Sequence, residues 1–248
     1  MRSAYLCSMH ATAFDEIVRF RRSNRKFDPA VPVPDEVIQR SLERAVLSPN
    51  SSNMQLWEFH WLQTPSMKAA MVPLCLGQQA ASTAMHMVVF VTRQDKWRER
   101  VQWHLGQIRA KIQGEPTKAQ QLGLRYYGKL MPLIYGNDFF GLLSFFRIFV
   151  SGSVGLFRPL YRAGGRARQR IMTHKSCALA AQTFMLSVAA EGYHSCPMEG
   201  FDEPRVKRLL GLPRRAEINM IIAVGKGTPA GEWGERQRVD NAEVILRR

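Results

Sequence analysis

From Thr12 onward the apolar positions Phe14, Ile17 and Val18 recur at helical spacing, and Asp15 and Glu16 fall in the first turn, where a helix dipole favours acids. A helix is predicted here, ending in a basic cluster. A second is predicted after Val33. Pro34 suits a first helical position, Asp35 and Glu36 suit the first turn, and Val37, Ile38, Leu42, Ala45 and Val46 form one face before Ser48-Pro49 stops it. The period then changes to two. Trp57, Phe59 and Trp61 alternate with Glu58, His60 and Leu62, which predicts a strand with one aromatic face. Met85 to Thr92 and Glu217 to Gly225 are short apolar, β-branched runs and read as buried strands. Long helical patterns at Gln94 to Gln113, Thr117 to Leu130 and His174 to Glu191 separate them. Ser176 to Ala190 carries no charge and many small residues, so a central helix buried on all sides is expected there. Pro204 to Pro213 reads as a short helix stopped by Gly211 and Pro213. Strands spaced by long helices imply an α+β or α/β domain, and no internal repeat is visible.

Composition narrows this picture. A chain of 248 residues, 46% of them apolar, can bury a substantial core. Its formal charge of +15 calls for an anionic cofactor, substrate or surface. Nucleic acid is the default partner for such a charge. Against it, the chain has no zinc-finger spacing, no RNP-like aromatic motif and no interleaving of basic and aromatic residues along a strand, so no nucleic acid is expected. Cys7, Cys75, Cys177 and Cys196 are scattered without a CxxC pair, which suits buried thiols in a reducing compartment. No apolar run of signal-peptide length precedes Asp15. The charge-free run Ala69 to Thr92 is interrupted by Pro73, Gly77 and Gln78-Gln79, so it does not read as a membrane span. A cytoplasmic protein, soluble or peripheral to a membrane, is expected.

Three stretches carry chemistry: Arg21-Arg22-Ser23-Asn24-Arg25, Ser48-Pro49-Asn50-Ser51-Ser52-Asn53, and Cys196-Pro197-Met198-Glu199-Gly200-Phe201. Taken singly, the first also fits a solvated helix end and the second an ordinary helix-to-strand turn. In this order, followed by a final strand and Arg236-Gln237-Arg238, they resemble the nitroreductase-like FMN-dependent flavoproteins from about Phe14 to Arg238. The resemblance implies an α+β fold: a mixed sheet flanked by helices with a long central helix, an obligate homodimer with FMN at the interface, and one domain over residues 1–248 carrying a hydrophobic helical insertion near 126–170. It implies Arg21 and Ser23 at the FMN phosphate, and Arg22 and Arg25 toward the ribityl chain and ring edge. Pro49, Asn50, Ser51 and Asn53 would face the flavin of the other subunit, and Gln78 its pyrimidine ring. Pro197 and Met198 would line one ring face, with the amides of Glu199 and Gly200 near N5. Arg236 and Arg238 would close over the phosphate, although the 227–235 segment departs from the family's Pro-rich spacing.

The implied activity is hydride transfer from NADH or NADPH through flavin N5 to a small electron-poor acceptor such as a nitroaromatic, quinone or enone, by a ping-pong mechanism. The flavin carries the reaction, so no catalytic triad or metal is required. An arginine fork suits a phosphate, and a permanent cation such as Arg25 beside the ring would raise its reduction potential. A dehalogenase-like or flavin-consuming reductase, or a flavin-binding membrane-associated interaction protein, are the alternatives.

Other features receive plainer readings. Cys196 reads as a small buried thiol, His194 as a solvated turn residue, and Gly225-Lys226-Gly227 as a strand-ending turn. Cys7 and His10 lack further ligands for a metal. Phe139 to Ala190 contains no acid and seven lysines or arginines, and six of the thirteen phenylalanines lie between Phe139 and Phe157. That stretch reads either as a packing cap with a solvated basic rim or as an interfacial contact with anionic membrane. Phe139 to Phe157 is expected to form a lid over the flavin or the dimer seam.

Overall fold

The computed structural model describes residues 2–136, 142–159 and 165–248. The first half of the chain runs α1 (Arg2–Phe20), β1 (Phe27–Asp28), α2 (Asp35–Val46), β2 (Trp57–Leu62), α3 (Pro65–Leu74), α4 (Gln79–Thr83), β3 (His86–Thr92) and α5 (Trp97–Ala110). It continues through α6 (Lys118–Arg125), α7 (Met131–Tyr135), α8 (Leu142–Val154), α9 (Gly165–Ala190), β4 (His194–Met198), α10 (Glu203–Leu209), β5 (Glu217–Gly227) and α11 (Asn241–Val244). Residues 137–141 and 160–164 of the expected insertion and lid lie outside the described residues.

The strand β5 is the axis of the sheet. It pairs with β3, β4 and β1, and β2 extends the order beyond β3; each of these pairings is antiparallel. Among the described residues the parallel component is the isolated bridge Ser23–Ser195. Because side chains alternate along a strand, each strand feeds two cores. Met87, Val89 and Val91 of β3 enter one core with Cys196, Met198 and Ile221, beneath α3 and α10. Val88 and Phe90 enter the other with Trp57, Ile38 and the α9 residues Cys177, Ala181, Phe184 and Val188. The register slips between Phe90 and Val91, which oppose Met220 and Ile218, leaving Asn219 as the extra residue of a bulge. That extra residue explains why Ile218 and Ile221 share one core while Met220 packs on the other.

Local chemistry sets the helix ends. Thr64 accepts from the Met67 amide at 3.2 Å to start α3. Thr117 and Gln120 form a capping box at α6, and Asp202 accepts from the Arg205 amide at α10. The predicted helix Thr117 to Leu130 changes character at Tyr126, where a π-turn runs to Leu130. Pro34 lies one residue outside α2 rather than in it. The central helix starts earlier than its charge pattern suggests, at Gly165, and it is not buried on all sides. The sheet and α2 cover two faces, fastened by Arg40 and Arg44 to Glu191 at 2.9 Å, while Leu179 remains 48% exposed.

Candidate functional site

After Phe20 the chain leaves α1 and runs extended along the ends of β4 and β5. Asn24 fixes that path. It is 1% exposed, its amide donates to Ser195 O, its Nδ2 donates to Thr228 O at 2.8 Å, and its Oδ1 accepts from the Lys26 amide at 3.1 Å. The Arg25 amide donates to Gly231 O at 2.8 Å. A Cβ on Gly231 would come within 1.9 Å of Asn24 Oδ1, so glycine is required there by space. These contacts press the 228–238 tail against the basic strip.

Between strip and tail lies a cavity of about 190 Å³, lined by Arg21, Arg22, Ser23 and Arg25 on one side and by Trp233, Glu235, Arg236, Gln237 and Arg238 on the other. Burial lowers the pKa of Arg21, and the charges of Arg236 and Arg238 lower it further. Three guanidiniums that penalise one another in a partly desolvated cleft make a site an anion would stabilise. Arg236 donates to the carbonyls of Val18, Arg19 and Arg21, capping the negative end of α1. Arg22 is occupied by Glu232 and Gly234 O, each at 2.7 Å. The Arg25 guanidinium lies 4.1 Å from the centroid of the Trp233 ring.

The Cys196–Phe201 stretch adjoins this strip. Its first part is the strand β4 rather than a loop, joined to Ser23 and Asn24 through Ser195. Met198 is buried, whereas Glu199 and Gly200 are exposed. Gln78 Nε2 donates to Gly200 O at 2.6 Å, so Gln78 holds the end of this segment. His194 is not a solvated turn residue. It is half-buried on β4, packs on Phe20 at 4.7 Å and accepts from the Gly227 amide at 3.1 Å through Nδ1. Burial lowers its pKa, Lys226 adds to that, and Glu232 opposes it. This same bond keeps Gly225-Lys226-Gly227 within β5 instead of a turn. Burial raises the pKa of the Cys196 thiol, with Arg25 opposing.

The Pro49–Asn53 stretch is held elsewhere. Ser51 donates through its hydroxyl to Met172 Sδ and through its amide to Ser176 Oγ, both acceptors on α9. Asn50 Oδ1 accepts from the Gln55 amide at 2.8 Å, and His104, stacked on Tyr127 at 4.1 Å, bonds to Asn53 O at 2.7 Å. Ser52, Asn53 and Gln55 all have φ near +50°, a conformation costly for non-glycine residues that these neighbours impose. Among the described residues no hydrogen bond joins this loop to the arginine strip. The structure thus gathers Arg21, Arg22, Ser23, Arg25, Arg236 and Arg238 at the Gly227 end of β5, with Pro197 and Met198 further along β4 opposite Ile222 and Ile221, and Glu199 and Gly200 beyond them beside Gln78. It leaves Pro49, Asn50, Ser51 and Asn53 on a separate face.

Trp233, Glu232 and Asn24 escape the sequence reading. Trp233 and Glu232 fall in the 227–235 segment, where spacing offers no guide. A tryptophan beside two acids in an otherwise basic tail is nevertheless a visible signal.

Fold and site together define an α+β protein with an arginine-lined anion cleft where its antiparallel strands end. The Nitroreductase family model matches residues 18–226, well over half the chain, and the chain belongs to that family. It is 28% identical over 217 residues to Protein DrgA of Synechocystis sp., covering 87% of this chain and 84% of that protein. It is 28% identical over 228 residues to the NADH dehydrogenase of Thermus thermophilus, covering 91% of each. Among solved structures, a protein from Exiguobacterium sibiricum in complex with FMN superposes with a TM-score of 0.65 at 20% identity, covering 95% of this chain and 97% of that one.

Proposed function

We propose that the protein is a homodimeric FMN-dependent oxidoreductase that takes hydride from NADH or NADPH and passes it, in a ping-pong cycle, to a small electron-poor acceptor. The observation that carries this reading is the cleft in which Arg21, Arg236 and Arg238 crowd around Ser23. Such crowding is stabilised by a ligand with the charge of a phosphate monoester. Family membership, the FMN bound by the Exiguobacterium protein and the name of the Thermus relative support the cofactor and the reductant.

Bound FMN would supply the hydride-accepting and hydride-donating centre. The residues of this chain would hold and orient it. Arg21 and Ser23 take the phosphate, Arg238 closes over it, and Arg236 keeps the helix end in place while contributing charge. Arg25, propped on Trp233, sets a permanent cation by the ribityl chain and ring edge. Pro197 and the amides of Glu199 and Gly200, tied down by Gln78, would offer a hydrogen-bonding wall, while the Met198 side chain, expected on the ring face, is buried in the core behind it. Pro49, Asn50, Ser51 and Asn53 would serve the flavin of the partner subunit, which accounts for their distance from the strip. The exposed apolar side chains Phe14, Val18 and Leu179 on α1 and α9 suit a face covered by a second copy.

Purified protein should bind FMN, bleach anaerobically with NADH or NADPH, and reoxidise with a quinone or nitroaromatic. Colourless protein that takes up no added FMN would sink the enzyme reading. Bound flavin that neither nicotinamide bleaches would favour the interaction-protein reading instead. Light scattering on the flavin-loaded protein should give a dimer, and a monomer would remove the role given to the Pro49 loop.

A further inference from the structure

We propose that the chain carries a second anion site, separate from the flavin cleft, that takes a soluble nucleoside polyphosphate. The site is a cavity of about 640 Å³ where the turn before β5, the start of α5 and the first turns of α9 converge. The cleft between Arg21 and Arg238, given to one phosphate group, measures about 190 Å³. Glu217 marks the new cavity and Gly227 the flavin cleft, so the two lie at opposite ends of β5, about 30 Å apart at the usual rise per residue. Arginines on a convex surface are ordinarily a solvated face. Here Arg98 reaches the same concavity from α5 as Arg214 and Arg215 do from the turn, and none of the three makes an ion pair among the described residues.

The acids in its wall are already engaged: Asp95 by Arg93 at 2.9 Å, and Glu217 by Arg170 and by His174 at 2.8 Å. Asn219 fixes the second arrangement. Its Nδ2 donates to His174 Nδ1 at 3.1 Å, which leaves the ring proton on Nε2, facing Glu217. Burial opposes ionisation of Glu217, but those donors outweigh it and hold the carboxyl below the usual carboxylate range, so it stays paired. The charge left open in the cavity is therefore positive, as phosphoryl groups require. The remaining wall suits a flat apolar group. Trp97 and Tyr135 stack with ring centroids 6.2 Å apart, Arg98 lies over the Trp97 ring at 4.5 Å, and Gln94, tied to Gln169 at 2.8 Å, adds a polar edge. A single phosphate would occupy a small part of this volume, whereas a polyphosphate joined to a base matches it in size and in kind.

The test is equilibrium dialysis of the full-length protein against ATP, with FMN in excess so that the cleft at Arg21 is filled. Saturable binding of one ATP per chain is expected. Arg214→Glu/Arg215→Glu should weaken it by about tenfold or more with the flavin content unchanged. Arg98→Gln, a change at an exposed position that the fold tolerates, should weaken it by about twofold to fivefold and keeps the test readable if the double variant misfolds. Arg21→Ala should bind ATP as wild type does, so the outcome is independent of what occupies the flavin cleft. Absence of saturable binding overturns the proposal. So does binding that survives both cavity variants, or that disappears with Arg21→Ala and so belongs to the flavin cleft. Displacement of ATP by an equal concentration of sulfate would reveal an unselective anion sink only, and would overturn it as well.

Discussion

The Arg236 guanidinium donates to the main-chain oxygen of Arg21 at 2.8 Å, so the last part of the chain closes the end of the helix from which the basic strip emerges. Arg236 neutralises carbonyls at the negative end of α1 and adds its charge to the cleft beside Arg21. Arg236→Ala should weaken FMN binding by at least about tenfold, the weight of a charge-assisted hydrogen bond. Titration of flavin fluorescence measures it, and an unchanged dissociation constant would remove Arg236 from the site.

Asn24 and Gly231 form one packing unit. Asn24→Ala should cost about 1–3 kcal/mol, since it leaves the Thr228 carbonyl and the Lys26 amide without their buried partner. Gly231→Ala should cost about as much by overpacking, its Cβ meeting Asn24 Oδ1 at 1.9 Å and Lys26 N at 2.6 Å. Urea midpoints of the two variants and the double variant test this. The double variant should lose less than the sum, because one change removes the atom with which the other collides.

Trp233→Ala should leave FMN bound but with a dissociation rate raised about twofold to fivefold, because the ring that steadies Arg25 is gone. Stopped-flow release of the flavin reads this directly. The thermal midpoint should stay close to wild type, since Trp233 is itself exposed.

Acid should strip stability at a defined place on the sheet. Burial opposes ionisation of Glu58, but hydrogen bonds from Lys96 and Arg93 outweigh it and hold the carboxyl down at about 2, against 4.5 ordinarily. A depressed folded-state value means the stabilisation is complete above about pH 4.5 and is lost as pH falls toward 2. Discounted for partial exposure, its size is about 1–2 kcal/mol. Glu58→Gln should therefore be less stable than wild type at pH 7, by urea unfolding, and nearly equal to it near pH 2. A constant gap at both values would refute the assignment.

The thiols should be inert. Burial pushes Cys75 up to about 11 and Cys177 to about 12, and it raises Cys196 as well. Iodoacetamide at neutral pH should leave all three unmodified by peptide mass mapping of the folded protein. Cys196→Ser should keep its bound flavin. Rapid alkylation of Cys196 would reopen a redox role for it.

How much of this is legible in the chain depends on range. β2, β3, α2 and the core of α9 announce themselves because their periodicity is a local property of burial. β4 is missed because Cys196-Pro197 looks like a loop, and only pairing with Val224 to Ile221 makes it a strand. β1 is two residues long and exists through its partner Gly227. The first three arginines of the site, and Ser23, stand in one readable cluster. Trp233 and Glu232 reach them from more than two hundred positions away, and no local pattern encodes that meeting. The left-handed residues at Ser52, Asn53 and Gln55 are equally silent, since neither serine nor glutamine advertises a positive φ.

That left-handed run governs the phase of β2. Among the described residues β2 pairs with β3 alone, through Trp57 opposite Thr92, so one of its edges gives no help in choosing a register. The tight path from Asn50 to Leu56, clamped by the Asn50–Gln55 bond, delivers Trp57 to the core and Glu58 to Arg93. Removing one residue from it would exchange the two sets of side chains along the whole strand, placing indoles in water and a carboxylate in the apolar core. The loop is thus a mechanical stop for an edge strand, whatever ligand its outer face meets.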